Sequence, residues 1–263
     1  MVKLWRGVMT IRNIELYPPD IQTIPYFNYQ KFQKYLILSS GLGSDTNAVV
    51  NRVANLQTLA AEERFEDIQI ESGNLVLAIY SVIEGLSYES MAFACMVKSI
   101  DGKVFNIASD EAVRELSSTV VATGITQAEV QEYIDLLKKK IDSQLNHAFK
   151  PNEANIDYLE AVHFHTLLQL KLALDPEPDT EAQVKAAYNK ILDLSKPKIL
   201  DTRLQGNIIT QMDKDYQKTM LSFKENNIQG GENFTIFDFY TTCEYYAEKT
   251  AAHKAEMDKM KKK

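Results

Sequence analysis

From residue 125 onward, the sequence carries a succession of helical patterns that are separated by stop signals. Thr126 and Glu129 form a capping box at the start of the first pattern. Its apolar positions follow at helical spacing: Val130, Ile134, Leu137, Ile141 and Leu145. Later patterns are separated by Asp-Pro-Glu-Pro-Asp at 175–179 and by Lys-Pro at 196–197. The C-terminal half is therefore predicted to be helical, and we expect its most apolar helix, Ile156 to Leu174, to lie at the centre of the protein.

The N-terminal part mixes strand and helix patterns. Val8 to Tyr17 alternates loosely and stops at two prolines, which predicts a strand. Tyr26 to Leu38 predicts an aromatic-rich helix, and Asp45 or Ser44 can cap the next one. Leu75 to Ile83 is apolar all round, so periodicity alone does not separate helix from strand, and we predict a helix ended by a glycine.

Residues 90–108 predict a β-hairpin within this otherwise helical chain. Alternate residues of the first arm would face one way: Met91, Phe93, Cys95 and Val97. Asp101-Gly102 supplies the positive φ angles that a tight two-residue turn requires, and the return arm runs through Val104 and Ile107. The predicted fold class is therefore α+β and predominantly α, with a small mixed N-terminal lobe that contains a β-hairpin and a helical C-terminal lobe.

Composition and charge exclude several classes of protein. The chain has 263 residues, 45% of them hydrophobic, which is enough to bury a substantial core. Its net charge of -7 argues against sequence-indifferent nucleic-acid binding, which needs a dominant basic surface. No run of about 18 apolar residues or secretory leader pattern occurs, so we expect a soluble chain with no membrane partner. Cys95 and Cys243 suit a reducing compartment, which favours the cytoplasm.

No catalytic or metal-binding motif is complete in this sequence. Glu160 and His163 have the E-x-x-H spacing of di-iron bundles, but the second E-x-x-H that such a site needs is missing. Cys95 has no neighbouring histidine or cation in sequence to activate a thiolate. Gly-Leu-Gly-Ser-Asp at 41–45 lacks the lysine of a phosphate loop and follows a helix. We therefore predict no enzyme, no cofactor and no metal.

The C-terminal segment divides into an aromatic element and a charged helix. Four aromatic residues of that element are predicted to bind a partner: Phe234, Phe237, Tyr240 and Tyr245. The alternative is that they dock the terminal helix onto the same chain. The lysine-rich end has two readings, either a solvated helix that projects from the protein or an arm for an acidic partner.

One resemblance rests on the layout of residues 8–108. The stretch "NLVLAIYSVIEGLSYES" followed by the hairpin resembles baseplate-hub and tail-assembly proteins of contractile-tailed phages of the T-even type. "FTIFDFYTTCEYYAEKTAAHKAEMDKMKKK" is similar to the ends of phage tail-assembly chaperones. Members of the first group tend to carry paired cysteines in the hairpin, whereas Cys95 stands alone, so their zinc-knuckle role does not transfer.

The resemblance implies a non-enzymatic tail or baseplate assembly protein that acts through protein contacts, with the tape-measure protein as one partner. It would work in the host cytoplasm during assembly or stay in the virion. The alternative is a cytoplasmic helical adaptor or regulatory protein unrelated to virions. The predicted parts are a mixed lobe at 1–122, a helical lobe at 123–232, and an aromatic element with a projecting helix at 233–263. The oligomeric state is left open.

Overall fold

The structure is a computed structural model that describes residues 3–5, 8–11, 13–43, 45–149, 153–174, 178–194 and 197–261. Helices make up most of these residues, and a small antiparallel sheet accompanies them, so the predicted fold class is confirmed. The strands are β1 (Lys3–Trp5), β2 (Val8–Ile11), β3 (Ile14–Leu16) and β4 (Val97–Ile100). The helices are α1 (Tyr26–Leu42), α2 (Thr46–Ala61), α3 (Phe65–Ile83), α4 (Tyr88–Cys95), α5 (Asp110–Ala122), α6 (Gln127–Ala148), α7 (Glu153–Leu174), α8 (Pro178–Leu194), α9 (Ile208–Glu225) and α10 (Ile236–Lys261).

The sheet has the strand order β1-β2-β3-β4, and every neighbouring pair is antiparallel. The single strand predicted from Val8 to Tyr17 is wrong, because Ile11 pairs with Ile14 and the chain reverses between them. Ile14 pairs in turn with Ile100 of β4. The three isoleucines are buried, so the sheet contributes one face to the core.

The first arm of the predicted hairpin is helical up to Cys95, which corrects the strand expected there, and only Val97–Ile100 of that arm form a strand. Ser87 caps helix α4 by accepting a hydrogen bond from the amide of Ser90, and the residues of α4 from Ser90 to Cys95 are all buried. A helix that is buried on every side has no polar face, so its sequence lacks the 3.6-residue period. The predicted turn does form at Asp101-Gly102, with φ angles of 49° and 77°. However, β4 pairs with β3 and meets its own return arm only at Lys103.

The main core lies between the sheet and helices α1, α4, α5 and α6, and Ile236 at the start of α10 also packs in it. The predicted capping box at Thr126 and Glu129 is present at the start of α6. Five residues of α6 face this core: Val130, Tyr133, Ile134, Leu137 and Ile141. The main core thus contains residues from both sides of the boundary predicted between the mixed lobe, which ends at residue 122, and the helical lobe, which begins at residue 123. Whether the chain divides into the three predicted parts stays a prediction.

Helices α7 and α8 pack chiefly against each other among the described elements. Ala161 and Leu168 of α7 and Ala187 of α8 are buried in this helical hairpin. The expectation that α7 lies at the centre of the protein is wrong, since Leu167 and Leu174 on another face of α7 are exposed. A smaller cluster of Leu42, Ala78 and Leu200 joins α1 and α3 to the segment before α9.

Candidate interaction surface

Helix α3 has an inverted polarity, with polar residues on its inner side and apolar residues on its outer side. The buried residues lie at helical spacing and all but one of them are polar: Asp67, Glu71, Asn74, Ala78 and Ser81. Globular proteins usually turn an apolar stripe of a helix inward, and a buried polar side chain is the informative exception. An apolar helix face ordinarily packs against the core of its own protein, and the outer side of α3 does not do so.

Partners from α2, from the residue that precedes α3 and from the segment before α9 satisfy the buried polar side chains of α3. Arg52 on α2 pairs with Glu71, and Arg64, which precedes α3, pairs with Asp67. The amide of Asn74 donates to the carbonyl of Lys198 at 2.9 Å and accepts from the amide of Leu200 at 3.1 Å. Because buried polar groups are costly when they are unpaired, these contacts fix which side of α3 faces inward.

The outer side of α3 presents four exposed apolar side chains, which we call the α3 outer face: Val76, Ile79, Tyr80 and Ile83. Their spacing places them in one stripe about 100° wide. Tyr80 is 59% exposed and Ile83 is 74% exposed, so solvent reaches most of their surface. Scattered exposed apolar residues are ordinary, whereas a contiguous stripe of them indicates a surface that another molecule covers.

Two arginines lie beside the α3 outer face. Asp201 holds Arg203 through two parallel hydrogen bonds, Nε to Oδ1 at 2.9 Å and Nη2 to Oδ2 at 2.7 Å, and these bonds lower the pKa of the Asp201 carboxyl. Arg203 also lies within electrostatic range of Tyr80. Arg114 pairs with Glu84, the residue after the end of α3, at 3.4 Å. Both guanidinium groups are largely exposed, and arginine beside tyrosine is typical of binding surfaces.

Three of the four predicted partner-binding aromatics pack against this same chain. Phe234 contacts Phe223 with ring centroids 5.8 Å apart, and Phe237 lies 6.0 Å from Phe149. The ring of Tyr240 lies 5.4 Å from Phe149 as well. Tyr245 is 58% exposed and contacts Tyr246 edge to face. Phe237 and Tyr240 thus pack against the main core, Phe234 packs against α9, and Tyr245 lies apart, while the role of these residues in binding a partner stays a prediction.

The centre of this aromatic cluster is Phe239, which the sequence analysis did not single out. Its ring stacks on Tyr26 with centroids 3.5 Å apart and an interplanar angle of 5°. Backbone hydrogen bonds from Tyr26 to the Phe234 carbonyl and from Ile236 to the Ile24 carbonyl hold the start of α10 against α1. The signal in the sequence was the helical spacing of residues 236 and 239, both of which are buried.

Cys95 and the Glu160–His163 pair, the catalytic and metal-binding candidates in the sequence, lie in different parts of the structure. Burial raises the pKa of the Cys95 thiol well above its usual range, which favours the protonated thiol over the thiolate. Glu160 and His163 are exposed and line an open cleft of about 580 Å³ between α7 and α8. Among the residues that the structure describes, no group of three His, Cys, Asp or Glu side chains is placed to hold a metal ion.

The described residues include no single helix that is long and apolar enough to cross a membrane. Helices α3 and α4 together pass that test by length and composition, but the chain bends by 80° between them.

A search with protein-family models, curated proteins and solved structures finds no match to this chain.

Proposed function

We propose that this chain is a non-enzymatic assembly protein that binds an amphipathic helix of a partner protein on the α3 outer face. The observation that carries the proposal is the inverted polarity of α3, whose polar side is buried and paired while its apolar side meets solvent. A partner helix with an apolar face would cover the exposed stripe, which is a common mode of peptide recognition.

The chemistry of the surface describes the partner more closely. Full burial of one large apolar side chain contributes about 1.5–3 kcal/mol. Four partly exposed side chains therefore offer on the order of 4 kcal/mol before the cost of association is subtracted. Arg203 and Arg114 are paired with Asp201 and Glu84, and the N–H groups of each guanidinium that these pairs do not use would add specificity by donating to carboxylates of the partner. The expected partner is a helix whose apolar stripe is flanked by aspartate or glutamate.

The biological setting that we propose is the assembly of a contractile phage tail, in which the partner is a tail or baseplate protein. The support is the resemblance of residues 8–108 to tail-assembly proteins, together with a surface suited to contact. A tape-measure protein is a suitable partner because it is long and helical. The competing proposal is a helical adaptor unrelated to virions, which would use the same surface on a different protein.

The test compares Ile83→Glu with Val104→Glu, since Ile83 and Val104 are both 74% exposed and lie on different elements. If tape-measure, tail-tube or baseplate proteins are encoded near its gene, binding of the purified chain to each of them would be measured by titration calorimetry. We expect Ile83→Glu to weaken binding by at least about tenfold, or 1.4 kcal/mol, and Val104→Glu to leave it unchanged. Equal affinities for both variants would contradict the proposed surface.

Two further results separate the proposed setting from its competitors. A gene neighbourhood without tail genes, or no binding to any of these proteins, would reject the phage assignment and favour the adaptor. Flotation with anionic lipid vesicles tests whether the apolar stripe meets a bilayer instead. Vesicle binding that Ile83→Glu abolishes, without any protein partner, would overturn the proposal of a partner helix.

A further inference from the structure

Helix α7 carries two separate stripes, and only one of them is covered by α8. The covered stripe contains the buried Ala161 and Leu168 together with His165, whose ring lies 5.7 Å from that of Tyr188 on α8. The open stripe consists of exposed residues with the alternating three- and four-residue spacing of a coiled-coil seam: Glu160, Phe164, Leu167, Lys171 and Leu174. Glu160 and Phe164 lie at its edge, where they also line the open cleft toward α8. Phe164 and Leu167 at its middle are 56% and 52% exposed.

We propose that a second copy of this chain covers the open stripe, with the two α7 helices side by side and antiparallel. In the register whose two-fold axis passes between residues 165 and 166, Phe164 lies opposite Leu167 of the second copy. The same register places Glu160 opposite Lys171 of the second copy. Because the contact is symmetric, each of these pairings occurs twice.

Charge decides between the possible orientations of the two copies. Within one chain, Glu160 and Lys171 lie about 16 Å apart along the helix axis, so they cannot pair with each other. A parallel arrangement would place like charges together at both positions, which is destabilising at close range. The antiparallel register pairs opposite charges at both ends of an apolar centre, and exposed charges of this kind select orientation in coiled coils.

The composition of the stripe also favours a second copy over a lipid surface. A bilayer would take an uninterrupted apolar face, whereas Glu160 and Lys171 lie on the seam itself, on either side of Phe164 and Leu167. Leu170, which is exposed beside the seam, extends the apolar contact. This dimer does not depend on the α3 outer face, so either proposal can fail without the other.

The first test measures the molecular mass of the full chain by sedimentation equilibrium up to roughly 100 µM, where interfaces below standard size still associate. We expect a reversible dimer whose association weakens at least tenfold in Leu167→Glu. Leu221→Glu is the matched control, because Leu221 is exposed to a similar extent on α9. A monomer over the whole range, or equal effects of the two substitutions, would overturn the inference.

Charge reversal tests the register without changing the apolar residues. Glu160→Lys and Lys171→Glu should each weaken the dimer several-fold, and the double variant should restore it, because opposite charges then face each other again. Raising the salt concentration should reduce the difference between single and double variants. Additive losses in the double variant would exclude the antiparallel register even if a dimer forms.

Discussion

Asp110 at the start of α5 holds two buried lysines, and its replacement should destabilise the protein measurably. Its carboxylate accepts hydrogen bonds from Lys34 at 2.7 Å, from Lys31 at 3.2 Å and from the hydroxyl of Tyr35 at 2.8 Å. Lys31 and Lys34 are almost fully buried, whereas the side chain of Asp110 is 50% exposed. Asp110→Asn removes the negative charge and keeps the shape of the side chain.

The magnitude follows from the charges that the substitution leaves behind. Removing one partner of a buried ion pair costs about 3–5 kcal/mol, because the other charge stays buried and unpaired. Asp110 is half exposed, so water reaches the site and reduces the loss. Asp213, 3.9 Å from Lys34, offers a second carboxylate. We therefore expect Asp110→Asn to lower the free energy of unfolding by about 2 kcal/mol at pH 7.

The pKa of Asp110 gives this loss a defined pH dependence. Burial alone would raise the pKa, but hydrogen bonds from Lys34 and Tyr35 and the charges of both lysines lower it to about 2. An aspartate in the unfolded chain titrates near about 3.9. The stabilisation is therefore complete above roughly pH 5 and is lost as the pH falls toward 2. The difference between wild type and Asp110→Asn should shrink over the same range.

Urea unfolding followed by circular dichroism at pH 7 and at pH 3 measures both quantities. Glu111→Gln is the control, since Glu111 is the next residue, is exposed, and loses the same charge in the first turn of α5. We expect less than about 0.5 kcal/mol for that control. If Asp110→Asn matched Glu111→Gln at pH 7, or if its effect were the same at both pH values, the ion-pair argument would be refuted.

Three further predictions concern single side chains. Thr126→Ala should lower the free energy of unfolding by about 1 kcal/mol in urea titrations, because it removes the capping box of α6. Phe239→Ala should cost about 3 kcal/mol in the same assay and reduce the near-ultraviolet circular dichroism of the tyrosines, since it removes the ring stacked on Tyr26. A thiol reagent at pH 8 should label Cys243, which is half buried, well before the fully buried Cys95, and equal rates would contradict the packing around α4.

The sequence predicted most helices where their starts and faces are decided locally. Thr126 and Glu129 cap α6 as expected, and Asp45 caps α2 by accepting a hydrogen bond from the amide of Ala48. These signals succeed because capping contacts involve residues three positions apart. The strand predicted from Met91 holds only from Val97 onward, where β4 begins, and fails up to Cys95 because α4 is buried on all sides and so lacks the polar face that marks a helix.

The position of α7 shows where a local pattern stops being informative. Its sequence is apolar on more than one face, and the prediction placed it at the centre because apolar surface is expected to be buried. Helix α8 covers only the face with Ala161 and Leu168, and Phe164 and Leu167 meet solvent. The amount of apolar surface on a helix was thus readable from the sequence, but which of its faces the rest of the chain covers was not.

Helix α3 makes the same point about the candidate interaction surface. The sequence holds both of its stripes, with Glu71 and Asn74 in one and Tyr80 and Ile83 in the other. A pattern of residues cannot state which stripe faces inward, because that choice depends on Arg52 of a neighbouring helix and on the backbone near residue 200, far along the chain. Because those partners pair with the polar side chains of α3, this stripe can be buried without leaving an unpaired charge. The apolar stripe is then left exposed, so the same contacts that stabilise the inner side of α3 also create the exposed face on which we propose that a partner binds.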